Sequence, residues 1–372
     1  MCSRVATIRG FQNSRADGTF STRVQQMFSP RNSRPMGLRS RPASTYTSNL
    51  SCRHSFSRMQ RADVRTVSCK VVAKGKHITP QLLEQPASVE LLRGVDTLVL
   101  DCDGVLWEGN DIIQGSVESL LKLRKMGKQL LFVTNNSSKS RAMYVEKFNQ
   151  LGIQADKEEI VGASFAAAAW LKNQGFNQKV FVIGDVGVRR ELEEVGIRIA
   201  EDVDVDSDPE CNVESFKRMR VEPGVGAVVV GCDQAFTYRK LAYASCCIQQ
   251  GALFVGTNGD SADVIGGRLM PGCGALVDAL SASTGRSPDI IAGKPSSWLL
   301  ELLQLQYGVE PERTAVVGDR LDTDIQMGWN AGAALNIMTL SGVSTWADVE
   351  DAASEGRAVP HFVIPKLSYL LD

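Results

Sequence analysis

Two carboxylates, Asp101 and Asp103, stand two residues apart directly after the apolar run Leu98-Val99-Leu100. At the end of a buried strand two unpaired anions lose much hydration, so a cation beside them is the natural partner. Solvated acids on a loop are the plainer alternative. Three further segments place polar chemistry at a boundary between apolar and polar sequence. Phe132-Val133 runs into Thr134-Asn135-Asn136-Ser137-Ser138, whose hydroxyls, amides and backbone N–H groups would cradle an anion at a helix start, or merely cap that helix. Gly293-Lys294-Pro295 holds a lysine between Gly and Pro, where a fixed ammonium offsets charge on phosphoryl oxygens; a solvated lysine is the alternative. Val316-Val317-Gly318 precedes Asp319, Asp322 and Asp324, three acids within six residues. Hard oxygen ligands of this kind suit Mg²⁺. Asp322 and Asp324 would orient ligands or waters from behind, or simply open a helix whose dipole favours acids.

Elements that could position these residues follow from the hydrophobic pattern. From about residue 90 short β-branched runs alternate with amphipathic stretches, the pattern of βαβ units and a parallel sheet. Strands are expected over 95–101, 129–134, 179–184, 225–231, 252–257, 313–319 and 333–339, with helices over 141–151 and from about 296. Gly and Asn gather at the carboxyl ends of these strands, where open α/β sheets bind their ligands. The acidic, Pro-containing stretch 201–223 interrupts the rhythm, which suggests an inserted unit over 163–255 between core segments 71–162 and 256–372. The apolar run 163–170 belongs in a core on this reading, with a helix face at a homodimer contact as the alternative.

Composition narrows the class. With 372 residues, 43% hydrophobic and 22% charged, the chain can bury the cores of two domains. Its first seventy residues hold twelve Arg, one Lys and twelve Ser against only Asp17 and Asp63, whereas residues 71–372 hold 28 basic and 40 acidic side chains. An Arg- and Ser-rich, acid-poor leader over 1–70 without a sustained apolar run reads as an organelle transit peptide. A nucleic-acid-binding arm fits less well, because the charges are evenly spread and the body is acidic. No eighteen-residue apolar run is present, so no membrane span is expected, and the acidic body disfavours a nucleic-acid partner. Nine cysteines without a CxxC pair and three histidines make a zinc site improbable; Cys211, in an acidic loop-like stretch, is the thiol left open to redox chemistry.

Taken together, the four polar segments occur in the order of the four motifs of the haloacid dehalogenase (HAD) superfamily and resemble them. Gly318-Asp319-Arg320-Leu321-Asp322-Thr323-Asp324, the Thr134–Ser138 segment and the stretch 231–241 (GCDQAFTYRKL) are similar to the phosphoglycolate and pyridoxal phosphatase group. The resemblance spans nearly all of the chain after the leader. It implies an α/β fold: a Rossmann-like core with a parallel sheet and an α/β cap inserted after the second motif, in a group whose caps often dimerise. It also implies that Asp101 attacks phosphorus, that Asp103 serves as acid and base, and that Thr134 and Lys294 hold phosphoryl oxygens while Asn135 shapes the loop or contacts substrate. Mg²⁺ would be held by the Asp101 and Asp319 carboxylates and the Asp103 backbone carbonyl. The acid at 103 sets the chain apart from dehalogenases, which lack one there, and from pumping ATPases, which carry Thr. A catalytically dead relative would be expected to lack Asp101, Asp103, Lys294 or Asp319, and all four are present.

A chloroplast address, with mitochondria as the alternative, would make the implied substrate 2-phosphoglycolate, a small phosphorylated carboxylic acid. Pyridoxal 5′-phosphate or another small monoester is the alternative. Arg141, Arg189, Arg239 and Arg268 are the candidates to pair the substrate carboxylate.

Overall fold

The computed structural model describes residues 78–87, 89–201, 212–265 and 268–371. The expected leader and Cys211 lie outside the described residues. In chain order the strands are β1 (Gln81–Leu82), β2 (Thr97–Leu100), β3 (Trp107–Glu108), β4 (Asp111–Ile112), β5 (Gln129–Thr134), β6 (Ile160–Gly162), β7 (Lys179–Ile183), β8 (Arg198–Ile199) and β9 (Val225–Val230). They continue as β10 (Leu253–Gly256), β11 (Ala262–Ile265), β12 (Arg268–Pro271), β13 (Ile290–Ile291), β14 (Thr314–Gly318), β15 (Leu335–Thr339) and β16 (Phe362–Ile364).

Two sheets form, as an α/β fold with an inserted second unit requires. The first is seven-stranded in the order β1-β16-β15-β14-β2-β5-β6, and every pairing in it is parallel. Its central strands are buried throughout: all four residues of β2 and all five of β14 are buried, as parallel strands covered on both faces must be. The second sheet is five-stranded, β13-β10-β9-β7-β8, and is also wholly parallel. It does not end near residue 255: β13 pairs with β10, so part of the segment 256–372 expected in the core supplies a strand to the second sheet. Two residues are too few to show the alternation that reveals a strand in sequence, and the β11–β12 hairpin and helix Cys273–Thr284 separate β13 from its partner.

A shared apolar layer joins the two sheets. Val99, Val133 and Val161 of the first and Val180, Val182 and Val229 of the second lie in one cluster with helix Ala163–Asn173 and with Trp298 and Leu302 of helix Ser297–Tyr307. The run 163–170 packs in this core, with residues 163–168 all buried and Ala169 and Trp170 half-buried against it. The opposite side of the first sheet packs Leu98, Leu100, Phe132 and Ile337 against Trp107, Tyr144 and Phe148. No helix among the described residues is long and apolar enough to cross a membrane.

Ser140 caps helix Arg141–Gln150 by accepting the Met143 N–H, and Ser296 caps helix Ser297–Tyr307 through Trp298 N–H. At the first of these starts sits a buried ion pair. Arg141 Nε donates to Glu191 Oε2 at 3.1 Å, its Nη2 reaches Glu194 Oε1 at 3.2 Å, and its guanidinium lies 3.6 Å from the Phe165 ring centroid. Glu191, on helix Val186–Glu194 beside the second sheet, is fully buried and also accepts the Arg141 backbone N–H at 2.5 Å. Removing Glu191 takes from the buried Arg141 its buried counter-charge and the acceptor of its backbone N–H, leaving it the half-exposed Glu194, so Glu191→Ala should cost about 3–5 kcal/mol in a reversible denaturant titration, against a change under about 1 kcal/mol expected for an exposed pair such as Arg93–Glu90.

Candidate active site

Strand order creates the site. The first sheet grows from β2 through β5 to β6, then resumes with β14 on the other side of β2, so the crossovers part at the carboxyl ends of β2 and β14. Register carries the acids into that gap. Leu100 pairs with Val317, and the Asp101 N–H donates to the Val317 carbonyl at 2.9 Å, which sets the residue after β2 level with the end of β14. Asp319 follows one residue later. A wide π-type turn, Leu321–Ile325, then brings Asp324 back toward the strand end, where its Oδ2 accepts the Arg320 backbone N–H at 3.2 Å.

The carboxylate oxygens of Asp101, Asp319 and Asp324 consequently lie within 4.8 Å of one another, all buried. A single ammonium reaches two of them: Lys294 Nζ lies 2.7 Å from Asp101 Oδ1 and 2.7 Å from Asp324 Oδ1, and it also donates to the Val133 carbonyl at 3.1 Å. Three buried acids thus face one lysine. Burial first, and the charges of Asp324 and Asp319 after it, push the Asp101 carboxyl well above its ordinary range against the pull of Lys294. Burial and Asp324 push Asp319 up to about 6, although the Val343 N–H and Lys294 oppose this. Burial alone would depress the Lys294 ammonium; Asp101 and Asp324 override it and hold it protonated.

Space around this cluster is made by glycine. Gly104 sits at φ 80°, a conformation that side chains rarely adopt, and a Cβ there would run into the Asp319 carboxylate. Gly318 likewise leaves room for the Asp324 side chain.

Of the residues singled out in the sequence, Asp101, Asp319, Asp324 and Lys294 come together. The Asp103 carboxylate stands apart from the buried trio and is 45% exposed; its Oδ1 accepts from Trp107 Nε1 at 2.8 Å and lies 3.8 Å from Lys147 Nζ, which is itself 4.2 Å from the Trp107 ring centroid. Thr134 is buried at the end of β5 and its Oγ1 accepts the Asn136 N–H at 3.2 Å.

Asp322 does not join the cluster. It is 68% exposed and forms a two-pronged pair with Arg320, at 3.0 and 2.8 Å. Asn135, expected at the substrate, spends its side chain on protein partners: Oδ1 accepts the Lys294 N–H at 2.8 Å while Nδ2 donates to the Lys294 carbonyl at 3.2 Å and to Asp260 Oδ2 at 3.1 Å. Among the candidate arginines, Arg141 is taken up by Glu191 and Glu194, and Arg268 is exposed on β12.

Sequence reasoning missed Trp107, Lys147, Asn258 and Asp260. Trp107 was within reach, standing four residues after Asp103. The other three come from distant segments and carry no local signal.

Comparison with known proteins follows the same pattern. Residues 98–198 match the family model of haloacid dehalogenase-like hydrolases, and residues 291–370 match a second, HAD-hydrolase-like model. Phosphoglycolate phosphatase 1A, chloroplastic, of Arabidopsis thaliana is 37% identical over 334 residues, covering 88% of this chain and 90% of that protein. The chain belongs to the haloacid dehalogenase-like hydrolases. Human glycerol-3-phosphate phosphatase is 41% identical over 298 residues, 76% of this chain and 91% of its own length. The crystal structure of a Mycobacterium tuberculosis glycerol phosphate phosphatase in complex with magnesium superposes with a TM-score of 0.63 at 30% identity, over 76% of this chain and 78% of that one. Among HAD hydrolases these relatives place the chain with the phosphatases.

The donor set of this HAD phosphatase fits a hard divalent cation. It offers carboxylate oxygens only, close enough to share one ion, in a buried site where the acids outnumber the ammonium. Such a cation must displace the proton that Asp319 retains below about pH 6, and that of Asp101, whose carboxyl is raised in the same direction. Mg²⁺ affinity measured by calorimetry should therefore weaken as pH falls through about 6, by about tenfold or more per unit below it; affinity unchanged down to pH 5 would contradict the linkage.

Proposed function

We propose that this chain is a Mg²⁺-dependent phosphomonoesterase that passes the phosphoryl group through Asp101, and that its substrate is a small phosphorylated carboxylic acid, 2-phosphoglycolate foremost, in the chloroplast stroma. The observation that carries the reading is the buried carboxylate at the end of β2, locked to Lys294 among two further acids. Asp101 and Asp319, with the Asp103 backbone carbonyl, would hold Mg²⁺, which supplies the positive charge that lets an anionic carboxylate approach an anionic ester.

The remaining work falls to side chains. Lys294 aligns Asp101, pulls its carboxyl toward the ionised form against the effect of burial, and offsets charge on the phosphoryl oxygens, together with the Thr134 hydroxyl. Asp101 forms a bond to phosphorus as the ester P–O bond breaks, and the departing alkoxide takes a proton from Asp103. Asp103 then removes a proton from water, which attacks the aspartyl-phosphate, frees inorganic phosphate and restores Asp101. Its exposed carboxylate, tethered to Trp107 and Lys147, suits a group that must meet both the leaving oxygen and water.

Support for the substrate comes from the Arabidopsis relative's name, and support for the compartment from that name together with the Arg- and Ser-rich leader. The human relative's name makes glycerol 3-phosphate the competitor to beat. In a Mg²⁺-dependent phosphate-release assay kcat/KM for 2-phosphoglycolate should exceed those for glycerol 3-phosphate and pyridoxal 5′-phosphate by about tenfold or more, and Asp101→Asn should show no turnover and trap no phosphoenzyme. A reversed order of substrates would move the specificity elsewhere; turnover by Asp101→Asn would end the nucleophile assignment.

A further inference from the structure

The Lys294 ammonium holds two carboxylates at 2.7 Å each, yet it ends a flexible four-carbon stem, so its position depends on where the Lys294 main chain is fixed. One side chain does that. Asn135 brackets the residue, accepting the Lys294 N–H on Oδ1 and donating from Nδ2 to the Lys294 carbonyl, the way a neighbouring strand would grip both ends of one residue. A primary amide has the one acceptor and two donors this requires, and its second N–H goes to Asp260. The Asn135 carbonyl in turn accepts from Asn258 Nδ2 at 2.6 Å.

A third tie comes from the residue before the lysine. Gly293 N–H donates to the Thr257 carbonyl at 2.7 Å, and a Cβ on Gly293 would strike both that carbonyl and Asn135 Oδ1. Asn135, Thr257, Asn258 and Lys294 are all buried, so each bond lost would leave a polar group without water to replace it. Residues 257–260 directly follow β10 of the second sheet, whereas Asn135 directly follows β5 of the first. Both sheets thus converge on one lysine.

We propose that Asn135 is a positioning residue for Lys294, and that Asn258 and Asp260 make the placement of that lysine depend on the seating of the segment that leaves β10 of the second sheet. This rests on the reading of Lys294 as the ammonium that aligns Asp101. It assigns Asn135 no contact with substrate.

A double-mutant cycle separates the two roles. With the full chain and p-nitrophenyl phosphate as substrate, Asn135→Ala should lower kcat by about 10- to 100-fold, the range for losing a partner that orients a functional group, and should weaken binding of inorganic phosphate in the presence of Mg²⁺. In a Lys294→Met background, Asn135→Ala should add less than about twofold to either quantity, because the group it positions is gone. Phosphate affinity by calorimetry serves where Lys294→Met leaves no measurable turnover.

If Asn135→Ala does not fold, Asn258→Ala is carried through the same cycle with the same expectation. A full Asn135 penalty on top of Lys294→Met, or no penalty in the wild-type background, overturns the proposal. Phosphoenzyme trapping with wild type and Asp101→Asn, run alongside, reports on the aspartyl-phosphate reading separately.

Discussion

Three buried carboxylates gathered around one ammonium are the constraint on which the rest of this molecule turns. Burying ionised acids without compensation is costly, and Lys294 answers for only part of the charge. The excess is visible in the upward push on the Asp101 and Asp319 carboxyls. A site left short of positive charge in this way would, on the proposed function, favour a divalent cation and, with it, a phosphate dianion. The strain of assembling the acids and the capacity to bind are one electrostatic fact.

Much of the architecture serves to hold that arrangement. Parallel pairing of β2 with β14 sets Asp101 beside the end of the strand that delivers Asp319; a shift of one residue would turn the acids to different faces. Gly104 and Gly318 leave the carboxylates room that any side chain would occupy. The second sheet contributes from the far side: its β10 leads into the Thr257–Asp260 segment that meets Asn135 and Gly293, and the Arg141–Glu191 pair joins the helix after β5 to the helix after β7. Stability and chemistry therefore share parts, since β5 ends in Thr134 and the loop after it carries Asn135 and ends in the cap of the helix that bears Arg141 and Lys147.

What could be read from the sequence was what repeats or clusters locally. The strand over 129–134 matches β5, and the expected strands at 95–101 and 313–319 differ from β2 and β14 only by residues at their ends, because long apolar runs ending in Gly, Asn or Asp announce a buried parallel strand and its functional end. The four polar segments pointed to the residues that meet in space. Short strands were invisible: β1, β8 and β13 have two residues each, fewer than any periodicity can show, and β13 accounts for the misplaced end of the inserted unit. Orientation within a motif was also beyond reach. Asp322 and Asp324 look alike in sequence, and only the turn that carries them sends one to Arg320 and the other to Lys294. Asn135 read as a loop amide near substrate because its two partners on Lys294 lie 159 residues away.

The account is tested most directly by locating a cation. Anomalous diffraction from crystals grown with Mn²⁺ in place of Mg²⁺ should show one strong peak within about 2.0–2.4 Å of both an Asp101 and an Asp319 carboxylate oxygen, with Lys294 still on Asp324. Saturated crystals in which the ion sits elsewhere, and these carboxylates remain closed on one another without it, would contradict the claim that their shared charge is what the site is built to neutralise.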